Sequence, residues 1–71
     1  MSLTIPPVEL LQDGLEKVPE AARFLCLSRS KVYQLMDRGE LPYVQLGRSR
    51  RIPRRALVQL AASHLVTARQ N

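Results

Sequence analysis

SRSKVYQLMDRG, residues 28–39, is the stretch that decides the fold of this chain. Ser28 can accept a hydrogen bond from the first free amides of a helix, so it is predicted to be the N-cap. Arg38 is favourable at the negative end of the helix dipole, and Gly39 can take the left-handed conformation that ends a helix. The start and the end of one helix are therefore both encoded here.

One side of this predicted helix is apolar and the other is polar. Val32, Leu35 and Met36 recur at the i, i+3, i+4 spacing of a buried face. The remaining positions can donate hydrogen bonds to an acidic partner, and they include Arg29, Ser30, Lys31, Gln34 and Arg38.

The charge of the chain is unevenly distributed. A length of 71 residues allows one domain with a small core, and the formal net charge is +5. Residues 1–27 contain four acidic and two basic side chains, whereas residues 28–71 contain nine basic and two acidic ones. The second part is thus predicted to meet a polyanion, and a large catalytic cleft is not expected.

Cysteine content and hydropathy indicate the compartment. Cys26 is the single cysteine, which excludes an internal disulfide and favours a reducing environment. The apolar runs are too short to span a bilayer, and the amino terminus lacks the pattern of a signal peptide. We expect a cytoplasmic protein with no membrane partner.

The chain divides into an N-terminal arm, residues 1–14, and one domain, residues 15–71. The arm is expected to be loosely attached, with Leu10 or Leu11 covering part of the core, or else partly disordered. A short lead-in precedes a helix predicted over residues 19–25, because Pro19 and Glu20 suit its first turn. Two helices joined by about three residues form a helix-turn-helix.

The second half of the domain predicts a hairpin and a last helix. Residues 43–46 alternate as a strand does, residues 47–49 indicate a turn, and residues 50–52 return as a second strand. Pro53 then starts a helix. Its apolar face is predicted to continue almost to the carboxyl end through Leu57, Leu60, Ala61, His64, Leu65 and Ala68.

Five blocks follow one another in a characteristic order: PEAARFL at 19–25, SRSKVY at 28–33, RGELP at 38–42, GR at 47–48 and RIPR at 51–54. In this order they resemble the excisionase-type winged helix-turn-helix family, which is related to MerR DNA-binding domains. The resemblance covers residues 15–60 and fades from Ala61 onward. It implies a mostly α fold with a small β-hairpin wing, a winged helix-turn-helix.

The resemblance also implies a function. The second helix would enter the major groove of double-stranded DNA, and the wing would touch the backbone or the minor groove. Family members serve as recombination directionality factors that help an integrase excise DNA, or as small transcription regulators. The expected partners are therefore duplex DNA, an integrase or recombinase, and further copies of the chain on DNA.

One position departs from the family. Cys26 stands where members often have glycine, and a non-glycine residue in a left-handed turn is strained. We therefore expect a slight rearrangement of the turn between the two helices.

Candidate DNA-binding residues lie on the second helix and on the wing. The arginines and Gln34 can pair with base edges, whereas Tyr33 either donates its hydroxyl to a phosphate or only packs. Two arginines at the start of the last helix are unfavourable for folding, a conflict that a phosphate would relieve. The full set is Ser28, Arg29, Ser30, Lys31, Tyr33, Gln34, Arg38, Arg48, Ser49, Arg50, Arg51 and Arg54.

The alternative, non-functional interpretation of these residues is a solvated helix face and a solubilising loop. The basic wing and the family resemblance together favour DNA binding over it. The alternative function is a protein-interaction adaptor that uses the apolar face from Leu57 to Ala68.

No motif for catalysis is present. One histidine, His64, and one cysteine do not make a metal site, and no nucleophile stands beside a base in a recognisable motif. We expect neither an enzyme nor a bound cofactor.

Overall fold

Seven elements follow one another in the computed structural model, which describes residues 7–67. They are α1 (Pro7–Leu10), β1 (Leu15–Glu16), α2 (Val18–Leu25), α3 (Arg29–Asp37), β2 (Val44–Leu46), β3 (Ser49–Pro53) and α4 (Arg54–Ser63). The helices α2 and α3 with the turn between them are the predicted helix-turn-helix. The order confirms the predicted winged helix-turn-helix.

The helix α2 starts with a carboxylate that binds a free amide. Glu20 accepts a hydrogen bond at 2.9 Å from the backbone N–H of Lys17, the N-cap. Lysine has no acceptor to return the bond, so only one of the two capping-box bonds forms. The negative charge of Glu20 in the first turn also suits the positive end of the helix.

The turn between α2 and α3 keeps the geometry that a glycine would give it. Cys26 has φ 57° and ψ 41°, in the left-handed region. The amide of Leu27 donates to the carbonyl of Ala22 at 2.9 Å, and that of Cys26 to Arg23 at 3.2 Å. These two bonds form a Schellman motif. The slight rearrangement expected at Cys26 is therefore not observed.

The helix α3 begins and ends where the sequence predicted. The Ser28 hydroxyl accepts a hydrogen bond from the Lys31 amide at 3.1 Å. Gly39 follows the helix with φ +77°. The amides of Gly39 and Glu40 donate to Met36 and Leu35, respectively, at 3.0 and 2.9 Å, which completes a second Schellman motif.

The hairpin of β2, β3 and the turn between them is the wing. Leu46 pairs with Ser49, so the turn has two residues. Ser49 belongs to β3, whereas the sequence predicts that this strand begins at Arg50. Gly47, the first turn residue, has φ +63°, whereas φ of Arg48, the second, is not positive. This combination is typical of a type II′ hairpin turn.

The sheet has a third strand, which the sequence did not predict. The residues of β1 pair antiparallel with β3, Leu15 with Pro53 and Glu16 with Ile52. The strand order is β1-β3-β2, so β3 is central. The segment described above as a lead-in therefore forms part of the sheet that continues into the wing.

The core lies between the three longer helices and the base of β3. Leu10 of α1 is buried and joins it, whereas Leu11 is exposed. The boundary between arm and domain stays a prediction, and residues 1–6 of the arm lie outside the described residues. The buried apolar residues are Leu10, Val18, Ala21, Ala22, Val32, Leu35, Met36, Leu41, Ile52, Ala56 and Leu57.

The helix α4 is shorter than its apolar pattern indicated. It ends at Ser63, whose hydroxyl donates to the carbonyl of Leu60 at 2.8 Å. The Ser63 side chain thus satisfies a carbonyl of the last helical turn. Leu65, beyond the helix, is 72% exposed. The prediction that this helix continues almost to the carboxyl end is wrong, because residues 64–67 are not helical. Ala68 lies outside the described residues.

Candidate nucleic-acid interface

The exposed side of α3 consists of three rows of side chains. Residues three or four apart share one side of a helix, so the buried positions Val32, Leu35 and Met36 define the opposite, outermost row. That outer row contains Ser30 and Gln34, both exposed.

The other two rows flank the outer row. The wing-side row contains Arg29, Tyr33 and Asp37, spaced four residues apart, and its last two members contact the wing. The groove-side row contains Lys31 and Arg38, which line a depression toward α4. The candidate recognition residues therefore face three directions rather than one.

The wing does not hold its arginines in one cluster. Arg48 is at the tip and exposed, and Arg50 and Arg51 are half-buried in β3. Successive strand residues point to opposite faces, so Arg50 shares the face of buried Ile52 while Arg51 points to the other side with Ser49. Arg48, Ser49, Arg50 and Arg51 form one run in the sequence, but the strand alternation separates their side chains.

Arg50 is engaged within the protein. Its guanidinium Nη1 lies 3.3 Å from Oδ1 of Asp37, at the end of α3. The guanidinium carbon is 4.6 Å from the ring centre of Tyr43 and 5.6 Å from that of Tyr33. Both distances are within the range of cation–π attraction. Arg50 of the wing thus contacts both α3 and Tyr43, which precedes β2.

Arg51 has a local contact. Its Nη1 donates to the carbonyl of Arg50 at 3.1 Å. A guanidinium has five donors, so further N–H groups can still serve an acceptor outside the protein.

The two arginines at the start of α4 have carboxylate partners from the segment before α2. Arg54 forms an ion pair with Glu16. Arg55 donates to both oxygens of Asp13, at 3.0 and 3.3 Å. The hydrogen bonds and negative charge of Asp13 raise the pKa of Arg55. The expected conflict with the helix dipole is therefore relieved by internal carboxylates, and a phosphate is not needed to explain it.

A depression of about 370 Å³ separates the groove-side row of α3 from the end of α4. Its floor is apolar, with Leu25, Leu27, Leu35 and Leu60. His64 stands at its edge, where Nδ1 lies 3.0 Å from the Leu60 carbonyl and 3.2 Å from the Ser63 hydroxyl. His64 is exposed, and these contacts hold its ring against the last turn of α4.

The adaptor hypothesis required a continuous apolar face on the last helix. Leu57 of that face is fully buried and Leu60 packs against the core. Among the described residues only the outer part of the predicted face remains exposed, with Ala61, His64 and Leu65. The protein's own core thus uses much of the surface that the hypothesis assigned to a partner.

Within residues 7–67, no group of three or more His, Cys, Asp or Glu side chains could hold a metal ion. In the same part of the chain, no helix combines the length and the hydropathy that crossing a bilayer requires.

Comparison with known proteins identifies the family. Residues 17–64 match the family model described as a helix-turn-helix domain. The chain belongs to this helix-turn-helix family. A similar curated protein is a probable excisionase from Saccharopolyspora erythraea, 51% identical over 45 residues. The alignment covers 63% of this chain and 46% of the relative, so the chain spans about half the relative's length. No solved structure gives a significant match.

Three residues that contact candidate site residues were not predicted from the sequence. Asp37 and Tyr43 hold Arg50, and Glu16 holds Arg54. A signal was present for Asp37, because it is the one acidic residue in the α3 sequence. Glu16 had no such signal, since Arg54 is distant in sequence, and Tyr43 meets Arg50 only across the folded hairpin.

Proposed function

We propose that this protein binds double-stranded DNA in a sequence-specific manner through α3 and the wing. The family match and the excisionase relative support DNA binding by a small protein of the excisionase type. The observation that carries the finer proposal is the outer row of α3. Ser30 and Gln34 are exposed between two flanking rows that contain Arg29, Lys31 and Arg38.

This arrangement suits the major groove. The groove of B-DNA is about 12 Å wide and admits one helix. With the outer row facing the base edges, Gln34 can pair with adenine, and Arg29 in the first turn of the wing-side row can reach guanine. Lys31 and Arg38 on one flank are then placed for phosphates, and the hydroxyl of Tyr33 for a phosphate on the other flank.

The wing extends the interface beside the helix. Arg48 at its tip is the wing arginine for which we propose a phosphate contact, and Ser49 and Arg51 can add contacts from one face of β3. Ser28 lies at the α3 N-terminus, where backbone amides favour an anion. Arg54 remains a candidate at the edge, in competition with its bond to Glu16.

The biological role that we propose is that of an excisionase, acting with an integrase or recombinase and binding adjacent sites as several copies. The similarity to the probable excisionase supports it. A small transcription regulator would use the same DNA-binding surface. The finer relation to MerR domains stays a prediction.

Selection of bound sites from random duplexes tests sequence specificity. Wild type should enrich a defined motif, and Gln34→Ala should broaden it at about one base pair without changing the salt dependence. Arg48→Ala should instead weaken binding to all sequences and reduce the slope of log affinity against log salt by about 0.9. Arg23→Ala is the control, because Arg23 is an exposed arginine on α2 that can be removed with the same change in charge.

Two outcomes would contradict the proposal. Equal affinity for selected and scrambled duplexes would exclude sequence specificity. A salt slope that Arg48→Ala and Arg23→Ala reduce equally would mean that the wing has no particular role in binding.

A further inference from the structure

Resting on the proposed DNA binding, we propose that Arg50 is a positioning residue that fixes the wing against α3, and that it acts through Asp37, Tyr33 and Tyr43 rather than through a phosphate. Arg50 belongs to the basic wing by sequence, but its contacts point into the protein. The relative placement of the wing and α3 then depends on one side chain.

The cation of Arg50 already has the partners that a guanidinium prefers. Asp37 supplies a carboxylate oxygen at 3.3 Å, and the two tyrosine rings lie 4.6 and 5.6 Å from its carbon. The Arg50 side chain is 29% exposed. A phosphate contact would require Arg50 to share or leave these partners, whereas Arg48 at the tip is exposed and has no such cost.

The charge of Asp37 gives a second reason. Its side chain is 67% exposed and lies in the wing-side row of α3, next to the proposed path of the DNA backbone. A carboxylate in that place would repel phosphates unless a cation neutralised it. Arg50 is the cation in contact, so the pair presents no net charge to DNA.

The geometry of the wing shows why such a link is needed. Ile52 is fully buried and anchors β3 in the core, and the hairpin extends outward from it to the turn at Gly47 and Arg48. Along the face that Ile52 and Arg50 share, Arg50 is the first residue beyond this anchor. Its contacts hold the outer part of the hairpin to α3, so that the wing does not have to be ordered when DNA binds.

An exposed ion pair contributes little to global stability. The expected effect of breaking it is therefore a change in wing orientation, with little change in the thermal midpoint. This separates the proposal from a general loss of structure.

The first experiment uses no DNA. Spin labels at Ser30→Cys and Arg48→Cys, in a Cys26→Gly background, report the distance between α3 and the wing tip. The background removes the only other thiol and suits the left-handed turn. Arg50→Met and Asp37→Asn should each broaden the distance distribution, and Arg50→Lys should do so too, because an ammonium lacks the planar fork.

The control is Arg51→Met, which removes the neighbouring arginine from the opposite face and should leave the distribution narrow. Circular dichroism confirms that each variant is folded, and if one unfolds, the remaining Arg50 and Asp37 variants decide. Distributions for Arg50→Met and Asp37→Asn that coincide with wild type would overturn the proposal.

The second experiment measures DNA affinity against salt. The double variant Asp37→Asn/Arg50→Met has the same net charge as wild type, so electrostatic attraction is matched. It should bind about three- to tenfold more weakly, the cost of ordering one or two side chains, with an unchanged salt slope. A slope reduced by about 0.9 would instead identify Arg50 as a phosphate ligand and overturn the proposal.

The two experiments distinguish failure of the proposed function from failure of the positioning role. If wild type binds no duplex DNA, the proposed function is wrong, while narrow label distances that broaden in the variants would still show that Arg50 positions the wing. If wild type binds DNA but the distances do not respond, the positioning role is wrong and the proposed function stands.

Discussion

Cys26 is a residue whose backbone is set by its neighbours rather than by its own preference. It adopts φ 57° because the bonds from Cys26 to Arg23 and from Leu27 to Ala22 close the end of α2 in that conformation. A side chain with a Cβ is disfavoured there, and the surrounding Schellman motif maintains it despite the cost. The strain that the sequence indicated is present, but the turn does not relieve it by changing shape.

Replacing Cys26 with glycine should stabilise the fold. Removing the Cβ relieves a cost of about 1–2 kcal/mol, and the greater freedom of glycine in the unfolded chain takes back part of it, so we expect a gain of about 0.5–1 kcal/mol. Urea unfolding measures the change. Cys26→Ala is the control, because it removes the thiol and keeps the Cβ. An equal gain in both variants would assign the effect to the thiol rather than to the backbone.

Charged residues were the least predictable of the single positions. Arg54 and Arg55 looked like a phosphate site because two cations begin a helix, yet Glu16 and Asp13 neutralise them. Those carboxylates are distant in sequence and approach only when β1 pairs with β3. The partners of Arg50 are closer in sequence, but Asp37 and Tyr43 approach it only when the hairpin folds beside α3. Sequence patterns identify a cation, but the fold determines whether its partner is inside or outside the protein.

At the scale of elements, helix ends with local signals were predicted well. Ser28 marks the start of α3 and Gly39 its end, through hydrogen bonds to residues a few positions away. The local sequence was therefore sufficient to predict both ends. The strand β1 has only two residues and no alternation to detect. The length of α4 was overestimated because its apolar spacing continues beyond Ser63, where side chains end the helix.

The N-cap of α3 can be tested apart from its charge. Ser28→Ala removes the acceptor for the Lys31 amide and should destabilise the protein by about 1 kcal/mol. Ser28→Asp should keep the stability, because aspartate caps a helix as well as serine does. Its negative charge should nevertheless weaken DNA binding at the proposed interface.

Chemical unfolding and DNA titration of the two Ser28 variants provide the measurements. If Ser28→Asp bound DNA as tightly as wild type, the α3 N-terminus would lie away from the phosphates, and Ser28 would serve only as the cap.

On the scale of the whole molecule, two ion pairs and one backbone bond join the segment before α2 to the start of α4. Asp13 pairs with Arg55 and Glu16 with Arg54, and between them the amide of Arg54 donates to the carbonyl of Gly14 at 2.9 Å. Leu10 adds a buried side chain from α1. This segment is therefore attached to the core by several kinds of contact.

Asp13→Asn should loosen this attachment. Losing the charge that holds Arg55 should speed hydrogen exchange of the Arg54 amide, which bonds Gly14, more than exchange in α3. Glu9→Gln is the matched control, because Glu9 raises the pKa of Arg55 only through its charge and less than Asp13 does. Equal acceleration by the two variants would show that Asp13 has no specific role.

The pH dependence of this attachment follows from the raised pKa of Arg55. A cation whose pKa is higher in the folded state stabilises the fold fully below the unfolded value and loses that contribution only as pH rises through the folded value. For an arginine both values lie far above neutrality. Exchange of the Arg54 amide, corrected for its intrinsic pH dependence, should therefore show no loss of protection between pH 7 and about 10 from Arg55.

The pairing of β1 with β3 has a mechanical consequence. Since β3 is the central strand, its outer end belongs to the wing and its inner end pairs with Leu15 and Glu16. Because Ile52 is fully buried and pairs with Glu16, the wing and the amino-terminal strand share one buried support. Removing Leu15 and Glu16 would therefore leave the inner end of the strand that carries the wing without its hydrogen-bonding neighbour on that side.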